Sequence, residues 1–267
     1  LAGLFAMAGI FGPLPIFQAN QLTQILRDSI YIPQGWGAAN AHFGGDLITG
    51  LVLVVLVSIV IFGGITRIGK VTSKLVPTMV VIYVGCVIAI LAAHITEIPH
   101  YLGLIVTDAF TGKSVMGGAV GSLIVIGIQR GVFSNEAGLG AASMVHAQAR
   151  NKPTRQGMWG IWEVFIDTIV VGTITALVVL LTGALGTGET GAVLAAEGFS
   201  RGLPGPGGYI INISIIIFAY TTMLTWSFYG EESWKYLFGK KIVKPYRLVF
   251  VILLFVGAIG ALEPIWL

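Results

Sequence analysis

Long apolar runs alternate with short polar connections along the whole chain. The run Leu51-Val-Leu-Val-Val-Leu-Val-Ser-Ile-Val60 is apolar on every face. It lacks both the stripe of a soluble amphipathic helix and the alternation of a half-exposed strand. A membrane-spanning helix needs about 20 mostly apolar residues. Seven segments meet or approach that length, at roughly 1–26, 47–65, 75–95, 116–149, 158–183, 208–232 and 246–267. Helix is the expected form for each, because lipid offers backbone groups no partner outside a helix or closed barrel. A barrel would show short segments of alternating polarity instead. The pattern predicts an all-α polytopic membrane protein, with 1–267 forming one transmembrane domain.

Composition agrees. Apolar residues make up 55% of the 267 and charged residues 10%, and the mean hydropathy is +0.89. Soluble domains carry about 25% charged residues, so these charges cannot cover a water-facing globule. That excludes a cytosolic enzyme, a nucleic-acid-binding domain and a disordered regulator. The single cysteine, Cys86, sits in an apolar run and reads as a packing residue. No secretory signal pattern is visible. The sequence opens and closes inside apolar runs without an initiator Met, so it is expected to be an internal piece of a longer protein.

The net charge is +3, but the placement of the charges matters more than their sum. Arg67, Lys70, Lys74, Arg150, Lys152, Arg155, Lys235, Lys240, Lys241, Lys244 and Arg247 all fall in connections on one side. Arg27, Lys113 and Arg201 fall on the other, and Arg130 lies within a span. The positive-inside rule makes the first side cytoplasmic, provided that the long fourth segment crosses once.

That fourth segment carries the most chemistry. Its apolar half meets Gln129-Arg130-Gly131-Val132-Phe133-Ser134-Asn135-Glu136-Ala137-Gly138-Leu139-Gly140, and a second small-residue half follows. Gly131, Gly138 and Gly140 relax the backbone where polar groups reach membrane depth. Irregular backbone there is tolerated only beside a cavity or inside protein. A Gly-interrupted hydrophobic segment points to the binding site of a secondary transporter. A half-helix N-terminus offers N–H groups to a carboxylate, and freed carbonyls at the other end can hold a cation. Arg130 and Glu136 are costly at that depth and are functional candidates. The plainer alternative is a kinked helix in which those two charges pair and hold the packing.

The sixth segment is the second polar span. Thr221 and Thr225 share a face, and Thr222 is adjacent. Their hydroxyls suit a hard cation; alternatively they bond back to i−4 carbonyls or join helices. Trp226 bounds a pocket or packs as an ordinary aromatic. The first segment ends in Gln18, Asn20, Gln21 and Gln24, amides suited to reading an amino acid or to interhelical bonds. Glu163 and Asp167, one turn apart in the fifth, read as helix-end charges facing the basic connection or a water cavity. The four histidines lack metal-ligand spacing, and no GxSxG, Walker A or HExxH motif occurs.

The string 129–140 resembles the signature of the alanine or glycine:cation symporter family. Arg155-Gln156-Gly157 with Glu163-Val-Phe-Ile-Asp167-Thr168, and Thr221-Thr222 through Trp226 to Glu231, resemble that family's later helices. The likeness runs along essentially the whole chain. It implies a LeuT-type inverted repeat, the fourth segment being its second broken helix. It implies Na⁺-coupled symport of a small neutral amino acid, alanine or glycine, by alternating access, with H⁺ as the alternative coupling ion; the short connections and the lack of glycosylation context favour a bacterial inner membrane. Carried over, Phe133, Ser134, Asn135 and Gly138 line the substrate site, Trp226 bounds it, and Gln18 is a weaker contact. Thr221, Thr222 and Thr225 become sodium candidates. No cofactor beyond Na⁺, no other metal, no nucleic-acid partner and no catalysis are expected, and the oligomeric state is open. The fold's first broken helix would precede Leu1, so the piece alone is not expected to transport.

A channel is the rival class, but it needs a polar stripe through several helices, whereas the polar residues gather at two mid-span positions. A membrane enzyme would have only Glu163 and Asp167 to work with.

Overall fold

The computed structural model describes residues 2–35, 43–110, 120–138, 140–205 and 207–260. Among them all regular structure is helical. The helices are α1 (Ala2–Phe11), α2 (Ile16–Leu26), α3 (Phe43–Ile61), α4 (Gly64–Ala93), α5 (Ile98–Phe110) and α6 (Val120–Asn135). They continue as α7 (Ala141–His146), α8 (Pro153–Phe165), α9 (Gly172–Leu181), α10 (Gly191–Gly202), α11 (Gly207–Phe238) and α12 (Val243–Ile259). A π-helical turn, Arg27–Tyr31, extends α2, and another, Ile166–Val171, joins α8 to α9.

Six stretches among the described residues are long and apolar enough to cross a membrane: Ala2–Tyr31, Gly44–Ile61, Gly64–Ala93, Pro153–Leu181, Gly207–Phe238 and Lys240–Ile259. They match every predicted segment except the fourth, which is divided between α6 and α7. Arg67, Lys70 and Lys74 are helical residues of α4 where a connection was expected. Likewise Arg27 lies in the π turn, Lys235 in α11, and Lys244 and Arg247 in α12. Lys and Arg are good helix formers with long apolar stems, so apolar runs mark the hydrocarbon depth and not the helix ends. The short helices α5 and α10 were not predicted, being shorter than a span.

The chain forms two compact units, one of residues 1–84 with 209–267 and the other of 85–208. In the first, α12 packs along α2 and α3. Gly257 permits this closeness, since a Cβ there would lie 2.6 Å from the Ile16 backbone. Lipid gives spanning helices no hydrophobic drive to associate, so such small-residue contacts supply the packing. Asn20 then donates to the carbonyls of Gly257 and Gly260 at 3.3 and 2.6 Å, satisfying acceptors at the end of α12. Leu22, Ile25, Val57, Ile61, Phe250 and Leu254 fill the interior.

Charges finish both ends of α3. At its start Asp46 is held by Arg27. At its end Arg67 and Arg247 donate to the carbonyls of Ile59 and Phe62 at 2.7 and 3.2 Å, cations meeting the negative end of the helix dipole. Arg247 also holds Glu231 of α11 through two bonds of 2.7 and 3.0 Å.

In the second unit α9 is the packing centre, with α5 and α10 against it. A Cβ on Gly198 would lie 3.5 Å from Val178 and Val179, so α10 sits directly on α9. Phe199, Leu177 and Val178 are buried there. Many apolar side chains, among them Val81, Ile88 and Ile161, point outward, as lipid-facing residues do.

Candidate functional site

The fourth segment is broken, but later than its glycines alone suggested. Gln129, Arg130 and Gly131 continue as helix, and α6 stops at Asn135. Gly131 keeps ordinary helical geometry, because three neighbouring residues supply what a break needs. The Glu136 N–H makes the last helical bond, to the Val132 carbonyl at 2.8 Å. The Ala137 N–H turns to Asn135 Oδ1 at 2.8 Å, a turn built from a side-chain oxygen. Glu136 takes a left-handed φ of 54°, with Gly138 at 80° and Gly140 at 78°. Glycine adopts that region without strain, whereas for a glutamate it costs about 1–2 kcal/mol. α7 then resumes for six residues only.

Both sides of the break are tied to the next helix. Ser134 Oγ donates to Asp167 Oδ2 at 2.8 Å, and Asn135 Nδ2 donates to Thr168 Oγ1 at 2.6 Å. Consecutive residues of α6 thus meet consecutive residues of the π turn. Local π geometry shifts the helical register by a residue and is frequent at functional sites. On the far side His146, at the end of α7, lies with Nε2 2.9 Å from Glu163 Oε2 and Nδ1 2.6 Å from Gln156 Nε2. An amide nitrogen is a donor only, so it assigns the ring proton to Nε2, facing the carboxylate.

These contacts add a role to Glu163 and Asp167 that the sequence alone did not indicate: they hold the two ends of the broken helix, with Glu163 still exposed. Neither Thr168 nor the His146–Gln156 pair was anticipated. The signal was there in the equal 33-residue separation of 134 from 167 and 135 from 168, which only a known helix crossing makes legible.

Phe133 is 40% exposed. Gly138 is exposed, and a Cβ added to it would meet nothing within 4 Å, so its left-handed backbone alone calls for glycine. Gln18, Thr221, Thr222, Thr225 and Trp226 belong to the first unit and the 133–138 group to the second. Gln18 is buried at 7% exposure, and its Oε1 meets no donor among the described residues. On α11, Thr221 Oγ1 donates back to the Ile217 and Phe218 carbonyls, both at 3.0 Å, and Thr225 Oγ1 to the Thr221 carbonyl at 3.1 Å. The back-bonding alternative is therefore realised at both. It uses the hydroxyl proton and leaves the oxygen lone pairs, the part that a cation requires. Thr222 and Trp226 are half-buried.

A groove of about 850 Å³ runs along α8, lined by Lys152, Thr154, Arg155, Met158, Trp159 and Trp162. Basic residues beside outward tryptophans are the pattern of a membrane–water interface. Among the described residues no cluster of His, Cys, Asp and Glu has metal-binding form.

The family model described as the sodium:alanine symporter family matches residues 1–267. The chain is 43% identical over 235 residues to the sodium/alanine symporter AgcS of Methanococcus maripaludis, covering 86% of this chain and 52% of that protein. It is 37% identical over 278 residues to an uncharacterized transporter of Haemophilus influenzae, covering 100% of this chain and 58% of that protein. It is 31% identical over 273 residues to the sodium/proton-dependent alanine carrier protein of Bacillus sp. (strain PS3), covering 95% and 59%. The chain spans about half the length of the curated relatives it matches. With the family model matched from end to end, the chain belongs to the sodium:alanine symporter family.

Proposed function

We propose that this chain is part of a secondary active symporter that moves a small neutral amino acid, alanine or glycine, together with Na⁺ across the plasma membrane. The observation that carries this reading is the helix broken at 136–140 within a chain of this family, with its polar residues held at the break. Transporters bind substrate at such discontinuous helices near the bilayer midplane. The relatives named as a sodium/alanine symporter and an alanine carrier support alanine as the cargo.

In this reading 1–267 belongs to one transporter domain with a LeuT-type inverted repeat. Ser134 and Asn135 read the ends of the amino acid, and Phe133 and Gly138 shape the space for its side chain. Gln18, whose buried Oε1 meets no donor among the described residues, is a contact for the ammonium group. On the family resemblance alone Trp226 is a further candidate substrate contact, and Thr221, Thr222 and Thr225 are the candidate oxygens for Na⁺. Arg130 and Glu136 are retained at depth for the transport cycle. Residues outside 1–267 complete the sites. The chemistry is binding and release, with no bond made or broken.

The reading is tested by alanine binding to the purified full-length parent with and without Na⁺. Linkage requires that each ligand raise the affinity for the other by the same factor. Alanine affinity that rises at least tenfold with Na⁺, and Na⁺ affinity that rises equally with alanine, supports it. Alanine affinity indifferent to Na⁺ but dependent on pH would favour H⁺ coupling, which the relative named as sodium/proton-dependent keeps in view.

A further inference from the structure

Resting on the reading of 133–138 as a substrate segment, we propose that Asp167 is a positioning residue that sets which end of the amino acid the break receives. A serine hydroxyl has one proton and two lone pairs. The proton of Ser134 is given to Asp167 Oδ2 at 2.8 Å, so only lone pairs remain and Ser134 is fixed as an acceptor. Bonding to a carboxylate also polarises the hydroxyl, which strengthens it as an acceptor.

Its neighbour is set the opposite way. Asn135 Oδ1 is occupied by the Ala137 N–H, and one Nδ2 hydrogen goes to Thr168 Oγ1. Asn135 has left its second amide hydrogen and one Oδ1 lone pair, so of the two residues it alone can still donate. Adjacent residues therefore offer an acceptor suited to an ammonium group and a donor suited to a carboxylate. That pair of polarities suits a zwitterionic amino acid; a hydroxy acid's hydroxyl can also donate to Ser134, but it brings no positive charge to the oxygen that Asp167 polarises. Asp167 and Thr168 impose both, from consecutive positions on one π turn. Asp167 lies inside the candidate span Pro153–Leu181, where a carboxylate is costly, and this task gives it a reason to be there.

The test uses the full-length parent in proteoliposomes, with lactate as a competitor that replaces the ammonium by a hydroxyl. Asp167→Asn removes the charge-assisted bond. It is expected to raise the KM for alanine about tenfold or more while Vmax stays within about twofold. The preference for alanine over lactate falls by a similar factor, and Asp167→Glu restores most of it. An unchanged preference, or a loss of Vmax alone, overturns the proposal. If Asp167→Asn does not reach the membrane, Ser134→Ala carries the test, because it deletes the hydroxyl that Asp167 holds. A raised KM with an unchanged alanine-to-lactate preference then overturns this inference alone. An unchanged KM in Ser134→Ala overturns the substrate-segment reading itself, and this inference with it.

Discussion

Arg27 grips Asp46 with two donors, Nε at 3.1 Å and Nη2 at 2.6 Å from the two carboxylate oxygens, and the Asp46 side chain is only 5% exposed. The pair joins the π turn after α2 to the start of α3. Removing one partner of a buried pair costs about 3–5 kcal/mol, because the other charge stays buried alone. Arg27 is 22% exposed, so water softens the loss. Asp46→Ala is expected to destabilise the full-length protein by about 3 kcal/mol in denaturant unfolding. Replacing both, Arg27→Met with Asp46→Leu, costs less than either single change.

Gly257 is a packing contact and not a hinge. Any side chain there meets the Ile16 backbone at 2.6 Å, and backbone cannot rotate away. Gly257→Ala therefore separates α12 from α2 and strains the Asn20 bonds to Gly257 and Gly260. A loss of at least about 2 kcal/mol is expected. Gly103→Ala in α5 is the comparison. Nothing lies within 4 Å of that Cβ, and the change is neutral or stabilises by about 0.5–1 kcal/mol. Thermal unfolding in detergent separates the two.

Glu136 carries backbone strain at φ 54°. Glu136→Gly relieves it and Glu136→Gln does not, while both remove the charge. The glycine variant is expected to be more stable than the glutamine variant by about 1 kcal/mol. Equal stabilities would mean that this backbone geometry is not a feature of the folded protein.

The sodium reading singles out Thr222. Thr222→Val is isosteric and removes one oxygen. It is expected to raise the Na⁺ concentration for half-maximal uptake about tenfold, with alanine affinity at saturating Na⁺ little changed. Glu197→Gln breaks only an exposed i,i+4 pair with Arg201 and leaves both values alone.

Apolar run length was enough to place six spans, because lipid dictates helix and about 20 residues fix its length. It misplaced the ends where Arg67, Lys70 and Lys235 continue a helix past the hydrocarbon. The broken helix was legible from glycines beside polar residues, but Gly131 proved helical and the break fell at Glu136. A left-handed glutamate leaves no sign in composition. The partners Asp167, Thr168 and His146 depend on how two helices cross, and one sequence contains no crossing information. The pairing of Arg27 with Asp46 was invisible for the same reason.

Uptake of labelled alanine by the full-length parent in proteoliposomes tests the central claim most directly, with an inward Na⁺ gradient and again with K⁺ in place of Na⁺. Na⁺-coupled symport predicts concentrative uptake with Na⁺ and only equilibration with K⁺. Equal uptake in K⁺, or no uptake of alanine or glycine under any gradient, would contradict it.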